Sequence, residues 1–149
     1  MSANLYDEFP YRCLPIEWTA PERMALASRL HGGPLTKLEG CRVLELGCGD
    51  GGNLLPMAWH RRHSTFVGVD AAGTQVDVAR RRAARLGLTN VDLLHADVRD
   101  SDARLDGQFD YIVAHGLCSW VPADALQALF TLCASRLAPS GLLYLNYNA

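Results

Sequence analysis

The stretch Val43-Leu44-Glu45-Leu46-Gly47-Cys48-Gly49-Asp50-Gly51-Gly52-Asn53 decides the fold. An apolar run of strand character ends in a carboxylate, passes through a glycine-rich turn and enters a helix. Glycine lets a backbone turn sharply and come close to a ligand without a Cβ in the way. Asn53 stands where a helix N-cap belongs. The first N–H groups of that helix would face whatever sits on the turn. A charged residue at the end of an apolar strand is costly to bury alone, so Glu45 is expected to meet a ligand or a donor.

Outward from this stretch, apolar runs alternate with helical patterns. Residues 41–46 read as a first strand and Thr65–Asp70 as a second. Val91–His95 reads as a third, residues 109–115 as a fourth and residues 142–146 as a fifth. Helices are expected over residues 21 to about 30, 53 to about 62, 71–86 and 122–137. Pro21 suits a first helical turn, Pro56 is tolerated only in one, and Gly87 ends the third helix. Pro139-Ser140-Gly141 reads as a turn, and residues 99–107 as a charged stretch with one short helix. Strands alternating with helices imply an α/β fold: a Rossmann-like parallel sheet with helices on both faces. The right-handed crossover rule makes 3-2-1-4-5 the natural strand order. A ligand then lies at the carboxyl ends of the strands, around the switch point between the first and fourth.

Composition narrows the function. A chain of 149 residues is a single-domain length with one real core. With 14 basic and 16 acidic residues, charge pulls it toward neither nucleic acid nor an anionic membrane. Lys37 is the single lysine. The five cysteines (13, 41, 48, 118 and 133) form no C-x-x-C pair, so no zinc or other metal site is expected. Reduced thiols, the absence of a basic start followed by an apolar run, and the absence of a span-length apolar segment lead to a cytoplasmic expectation.

The glycine turn satisfies two patterns. Gly47, Gly49 and Gly52 spell the dinucleotide fingerprint G-x-G-x-x-G. Glu45, Gly47, Gly49 and Gly51 spell E-x-G-x-G-x-G, which resembles the first motif of class I S-adenosylmethionine-dependent methyltransferases. A pyrophosphate has no use for a carboxylate at Glu45, whereas the ammonium of a methionine-derived cofactor favours one. Asp70, closing the second strand, is placed to accept both ribose hydroxyls or to cap the next helix. The ordered set ELGCGDG, VGVD, HAD and FDYIVAHG over residues 43–146 is similar to that family as a whole.

A narrower resemblance rests on Tyr6-Asp7-Glu8-Phe9-Pro10-Tyr11, on His115-Gly116-Leu117-Cys118-Ser119-Trp120-Val121-Pro122 and on Leu145-Asn146-Tyr147-Asn148. These resemble bacterial methyltransferases that carry a methyltransferase regulatory domain, some of which methylate protein lysines. The resemblance implies S-adenosylmethionine as cofactor and S-adenosylhomocysteine as product. It implies Glu45, Gly47, Cys48, Gly49, Asn53, Asp70, Ala71, Gln75, Asp97, Val98, His115 and Tyr11 as cofactor contacts. Asp97 would accept from the adenine amine and the Val98 amide would pair with a ring nitrogen. His115 is a candidate general base, substrate contact or backbone support. Trp120 reads either as an adenine neighbour or as a loop anchor. Asp110 reads as structural, and the arginines at 80, 81, 82 and 85 as a solvated face suited to a helix end.

The same resemblance implies strands six and seven, which the pattern does not supply. The chain therefore reads as a single cofactor-binding domain belonging to something longer, or as a short relative. Residues 1–38 would cover the cofactor site and 41–146 would form the core. The fifth strand would be an exposed edge, able to pair in a homodimer. Methyl transfer by in-line displacement to a protein or small-molecule acceptor is the leading expectation. A non-catalytic cofactor-binding module is the alternative, with an NAD-dependent oxidoreductase behind it.

Overall fold

A computed structural model describes residues 13–147. Tyr11, together with the aromatics before it and Asn148, lies outside the described residues. After a short 3-10 turn at Glu17–Thr19 the elements are α1 (Pro21–Leu30), β1 (Arg42–Leu46), α2 (Leu54–His60), β2 (Thr65–Asp70) and α3 (Gly73–Arg85). There follow β3 (Val91–His95), α4 (Val98–Ser101), β4 (Phe109–Ala114), α5 (Ala123–Arg136) and β5 (Leu137–Leu145). All pairings are parallel and the strand order is β3-β2-β1-β4-β5. This is the expected Rossmann-like order, with β1 at the centre.

β1 shows why. Val43 and Leu44 are completely buried, and Leu46 nearly so. Alternate residues of one strand supply both faces, as the pleat requires. Val43 joins Phe66, Tyr111 and Val113 beneath α1, α2 and α3, through Met24, Leu54, Ala58, Val76 and Ala79. Leu44 and Leu46 join Val69 and Ile112 against Leu129, Leu132 and Cys133 of α5. Each such side chain contributes ~1.5–3 kcal/mol on burial. Asp110 locks the strands at their amino ends: its carboxylate accepts the Arg42 amide at 2.8 Å, while the Arg42 guanidinium donates to the carbonyls of Asp106 and Gln108. That is the structural part expected of it.

The carboxyl-end register sets up the site. Glu45 faces Gly68 on β2 and Val113 on β4, and Asp70 faces His95 on β3. The expected Pro139-Ser140-Gly141 turn needs correction. β5 starts at Leu137, opposite Phe109, and Tyr111 is already opposite Leu142, so the turn residues bulge out of a strand that continues through them. α5 runs straight into this strand, and Thr36 Oγ1 donates to the Ser140 carbonyl at 2.6 Å, holding the bulge. Residues 142–145 of β5 are only partly buried, as befits an edge. No helix among the described residues is long and apolar enough to cross a membrane.

Candidate functional site

Glu45 is 4% exposed, at the carboxyl end of the central strand. Its Oε1 accepts from Asn53 Nδ2 at 2.9 Å, while Oε2 is enclosed with no hydrogen-bond partner among the described residues. Burial pushes the carboxyl up to about 8, the Asn53 bond works against this, and the nearby Asp70 charge adds to it. A buried carboxylate oxygen with no donor calls for a cation, because leaving it unpaired costs ~1–3 kcal/mol or more.

Asn53 does not cap α2. It sits at the N-cap position with helical backbone angles and makes no side-chain cap bond. Its amide is spent elsewhere. Oδ1 accepts the Ile16 N–H at 2.8 Å, and Nδ2 donates to Thr19 Oγ1 at 3.0 Å as well as to Glu45. Thr19 is fully buried, and its hydroxyl donates on to the Ile16 carbonyl at 2.9 Å. Three polar residues from distant parts of the chain thus form one buried network.

The glycine turn also departs from expectation. Its amides do not stand open. Gly47 and Cys48 both donate to the Val69 carbonyl, Gly49 donates to Asp70 Oδ2 at 2.7 Å, and Gly51 donates to the Cys48 carbonyl. Gly52 donates to Asp50 Oδ1 at 3.1 Å. A pyrophosphate cradle needs such amides free; here they are bonded within the protein. The glycines serve a different close approach. Gly49 has φ +50°, and a Cβ there would lie 2.6 Å from Cys13 Sγ. A Cβ on Gly52 would overlap the Cys13 carbonyl. The segment through Cys13 therefore lies directly on the turn. Cys48 is 1% exposed and its thiol is pushed well up by burial and by the Glu45 and Asp70 charges, so it stays protonated.

Asp70 holds the neighbouring loop: besides the Gly49 amide, it accepts the Ala72 amide at 2.8 Å through Oδ1. It does not cap α3, whose N-cap is Ala72. Ala71 is exposed at the strand end, and Gln75 is buried in the first turn of α3. Asp97 does cap a helix. It accepts the Arg99 amide at 2.9 Å and is bridged by the Arg99 guanidinium, which holds its carboxyl below the usual range. Arg99 continues to Asp124 at 2.7 Å. Asp97 and Val98 lie at the end of β3, tied to the site through the Ala96 amide on the Asp70 carbonyl. Arg82 is not merely part of a solvated face: it pairs with the buried Asp50 carboxylate at 2.6 Å and bonds the Asp50 carbonyl, bracing the turn from outside.

β4 delivers His115 beside these groups. Leu117, two residues on, packs 3.3 Å from where a Gly47 Cβ would stand. The His115 ring stacks on Tyr144 of β5 at 5.9 Å, its Nδ1 is enclosed with no partner among the described residues, and desolvation lowers its pKa. Asn146 accepts the Gly116 amide, tying the loop to the end of β5. Trp120 is 68% exposed, which removes the anchor reading.

The structure thus joins Glu45, Gly47, Cys48, Gly49, Asn53 and Asp70 in one cluster, with His115 at its β4 side and Asp97 at its β3 side. Sequence reasoning missed Thr19, Ile16 and Cys13, whose partners lie more than thirty residues away. It also missed the Asp50–Arg82 brace and the stacking of Tyr144. Fixed spacing signals none of these. An ammonium suits the unpartnered Glu45 oxygen, and carboxylates at the ends of β2 and β3 suit hydroxyl and amine donors. The acceptor set matches S-adenosylmethionine better than a dinucleotide.

Comparison with known proteins agrees. The family described as "Methyltransferase domain" matches residues 43–141. The uncharacterized protein RP789 of Rickettsia prowazekii is 39% identical over 145 residues, which are 97% of this chain and 26% of that protein. A ubiquinone biosynthesis O-methyltransferase of Xanthomonas euvesicatoria is 34% identical over 110 residues, 74% of this chain and 44% of the enzyme. The structure of PKMT2 from Rickettsia typhi in complex with AdoHcy superposes with a TM-score of 0.84 at 32% identity, covering 90% of this chain and 26% of that one. A methyltransferase from Thiobacillus denitrificans in complex with S-adenosyl-L-homocysteine gives a TM-score of 0.59 at 26% identity, covering 92% of this chain and 51% of its own. The chain therefore spans between about a quarter and about a half of these relatives.

Proposed function

The chain belongs to the methyltransferase-domain family, with S-adenosylmethionine as its cofactor, and from that premise we propose that it transfers the methyl group to the side-chain amine of a protein lysine. The observation that carries the cofactor placement is the enclosed, unpartnered Oε2 of Glu45 at the end of β1. The likeness to PKMT2 over 90% of the chain supports the lysine acceptor.

In this reading Glu45 holds the cofactor's ammonium group. Asp70 receives the ribose hydroxyls while keeping Gly49 and Ala72 in place, since each carboxylate oxygen has a second lone pair. Asp97 receives the adenine amine beside the Val98 amide. Ala71 and Gln75 flank the ribose side, and the Gly47, Cys48 and Gly49 backbone forms the floor. When bound, the cofactor supplies an electrophilic methyl on sulfur, and the protein's part is alignment and exclusion of water. The acceptor enters at the β4 side. A lysine attacks only as the free amine. His115, held neutral by desolvation, is the side chain placed to orient that amine or take its proton.

A second reading, methylation of a small-molecule hydroxyl, draws on the Xanthomonas relatives. Both are tested by incubating the chain with methyl-labelled cofactor and either lysine-bearing protein or phenolic acceptors. Label recovered as methyl-lysine after acid hydrolysis supports the first. Label on the phenol alone supports the second. Cofactor binding with no transfer to either would leave a binding module.

A further inference from the structure

We infer that Asn53, oriented by Ile16 and Thr19, is the positioning residue that sets the Glu45 carboxylate for the cofactor's ammonium group, so that seating the N-terminal segment and binding the cofactor are one coupled event. The inference rests on the placement of that ammonium at Glu45.

The hydrogen bonds admit one arrangement. The Ile16 N–H can only donate, so the Asn53 atom 2.8 Å from it must be the carbonyl oxygen. This settles the amide orientation. Nδ2 then carries two protons, one directed to Glu45 Oε1 at 2.9 Å and one to Thr19 Oγ1 at 3.0 Å. The Thr19 proton goes to the nearer acceptor, the Ile16 carbonyl at 2.9 Å rather than Asn53 Oδ1 at 3.3 Å, leaving a lone pair for Asn53 Nδ2. Every member is 4% exposed or less at Thr19, Asn53 and Glu45, so water does not substitute. A connected buried network fixes orientation more firmly than its separate bonds. Its effect is to occupy Oε1 and leave Oε2 as the acceptor.

The network also stabilises the ionised carboxylate, which is the form an ammonium requires. Burial works against ionisation of Glu45, and the Asp70 charge at the end of β2 adds to it. Asn53 is the counterweight, and Thr19 keeps it in place. Thr19 belongs to the same short turn as Trp18 and stands two residues before α1. An N-terminal segment lifted from the turn would release Asn53 and with it Glu45.

The test is calorimetric titration with S-adenosylhomocysteine between about pH 6 and about pH 9, on the wild type, Thr19→Val, Thr19→Ser and Asn53→Leu, with melting temperatures alongside. Thr19→Val keeps shape and removes the hydroxyl. It should weaken binding about 3- to 10-fold, the scale of one buried hydrogen bond, and move the pH midpoint of affinity upward. Thr19→Ser should restore both to within about twofold. Asn53→Leu should exceed Thr19→Val in both effects; if it does not fold, the Thr19 pair decides. The ligand's own amine titrates identically throughout, so any change in midpoint belongs to the protein. A Thr19→Val protein that melts lower but keeps the wild-type affinity and midpoint overturns the inference. Wild type that fails to bind the ligand at all overturns the cofactor placement itself, a different and recognisable result.

Discussion

Cofactor binding should expel a proton from Glu45. In the cofactor-free protein burial raises this carboxyl from its ordinary 4.5 to about 8. At pH 7 it is therefore about nine-tenths protonated. An ammonium at Oε2 favours the ionised form and reverses the balance. Binding at pH 7 should release close to one proton, falling toward none above about pH 9. Affinity should rise about tenfold for each pH increment of one below about 8. Titrations in two buffers of different ionisation enthalpy read the release directly. The same group governs stability. Its folded-state value lies above its unfolded value, so its contribution is full below about 4.5 and is lost as pH rises through about 8. The gap corresponds to on the order of 5 kcal/mol as an upper limit. Glu45→Gln, which keeps an acceptor for Asn53, should flatten this dependence, stabilise the protein at alkaline pH and weaken S-adenosylhomocysteine binding about 10- to 100-fold at pH 8. Proton-neutral binding at pH 7, together with an unchanged stability profile in Glu45→Gln, would refute the reasoning.

Asp70→Ala should weaken cofactor binding by ~2–3 kcal/mol in the same titration. Because Asp70 also holds the Gly49 and Ala72 amides, the melting temperature should fall too; an unchanged Kd would leave it only this loop role. Ile112→Ala, at a fully buried position, should cost ~2–5 kcal/mol in chemical denaturation without touching any proposed ligand contact.

Much of the fold was legible because β1, β2 and β4 are nearly continuous apolar runs, the mark of strands buried on both faces. Thr65–Asp70 and Val91–His95 fall where the alternation of strand and helix placed them. The failures have a common cause. Asn53 looked like a cap because caps are local, but its partners Ile16 and Thr19 arrive through the fold. The glycine turn looked open to a ligand because its sequence fits one, yet Asp70, Asp50 and the Val69 and Cys48 carbonyls take up its amides. Arg82 looked solvated because its helix face is basic, and only the packing of α3 against the turn brings it to Asp50. Glu45 was legible because an isolated carboxylate at the end of an apolar strand has few physical explanations.

The most direct test of the account is a calorimetric competition on the purified chain: S-adenosylhomocysteine against NAD, repeated with Glu45→Gln. The account predicts saturable one-to-one binding of S-adenosylhomocysteine that is sharply weakened in Glu45→Gln, and no heat from NAD. Tight NAD binding, or S-adenosylhomocysteine binding indifferent to Glu45→Gln, would contradict it.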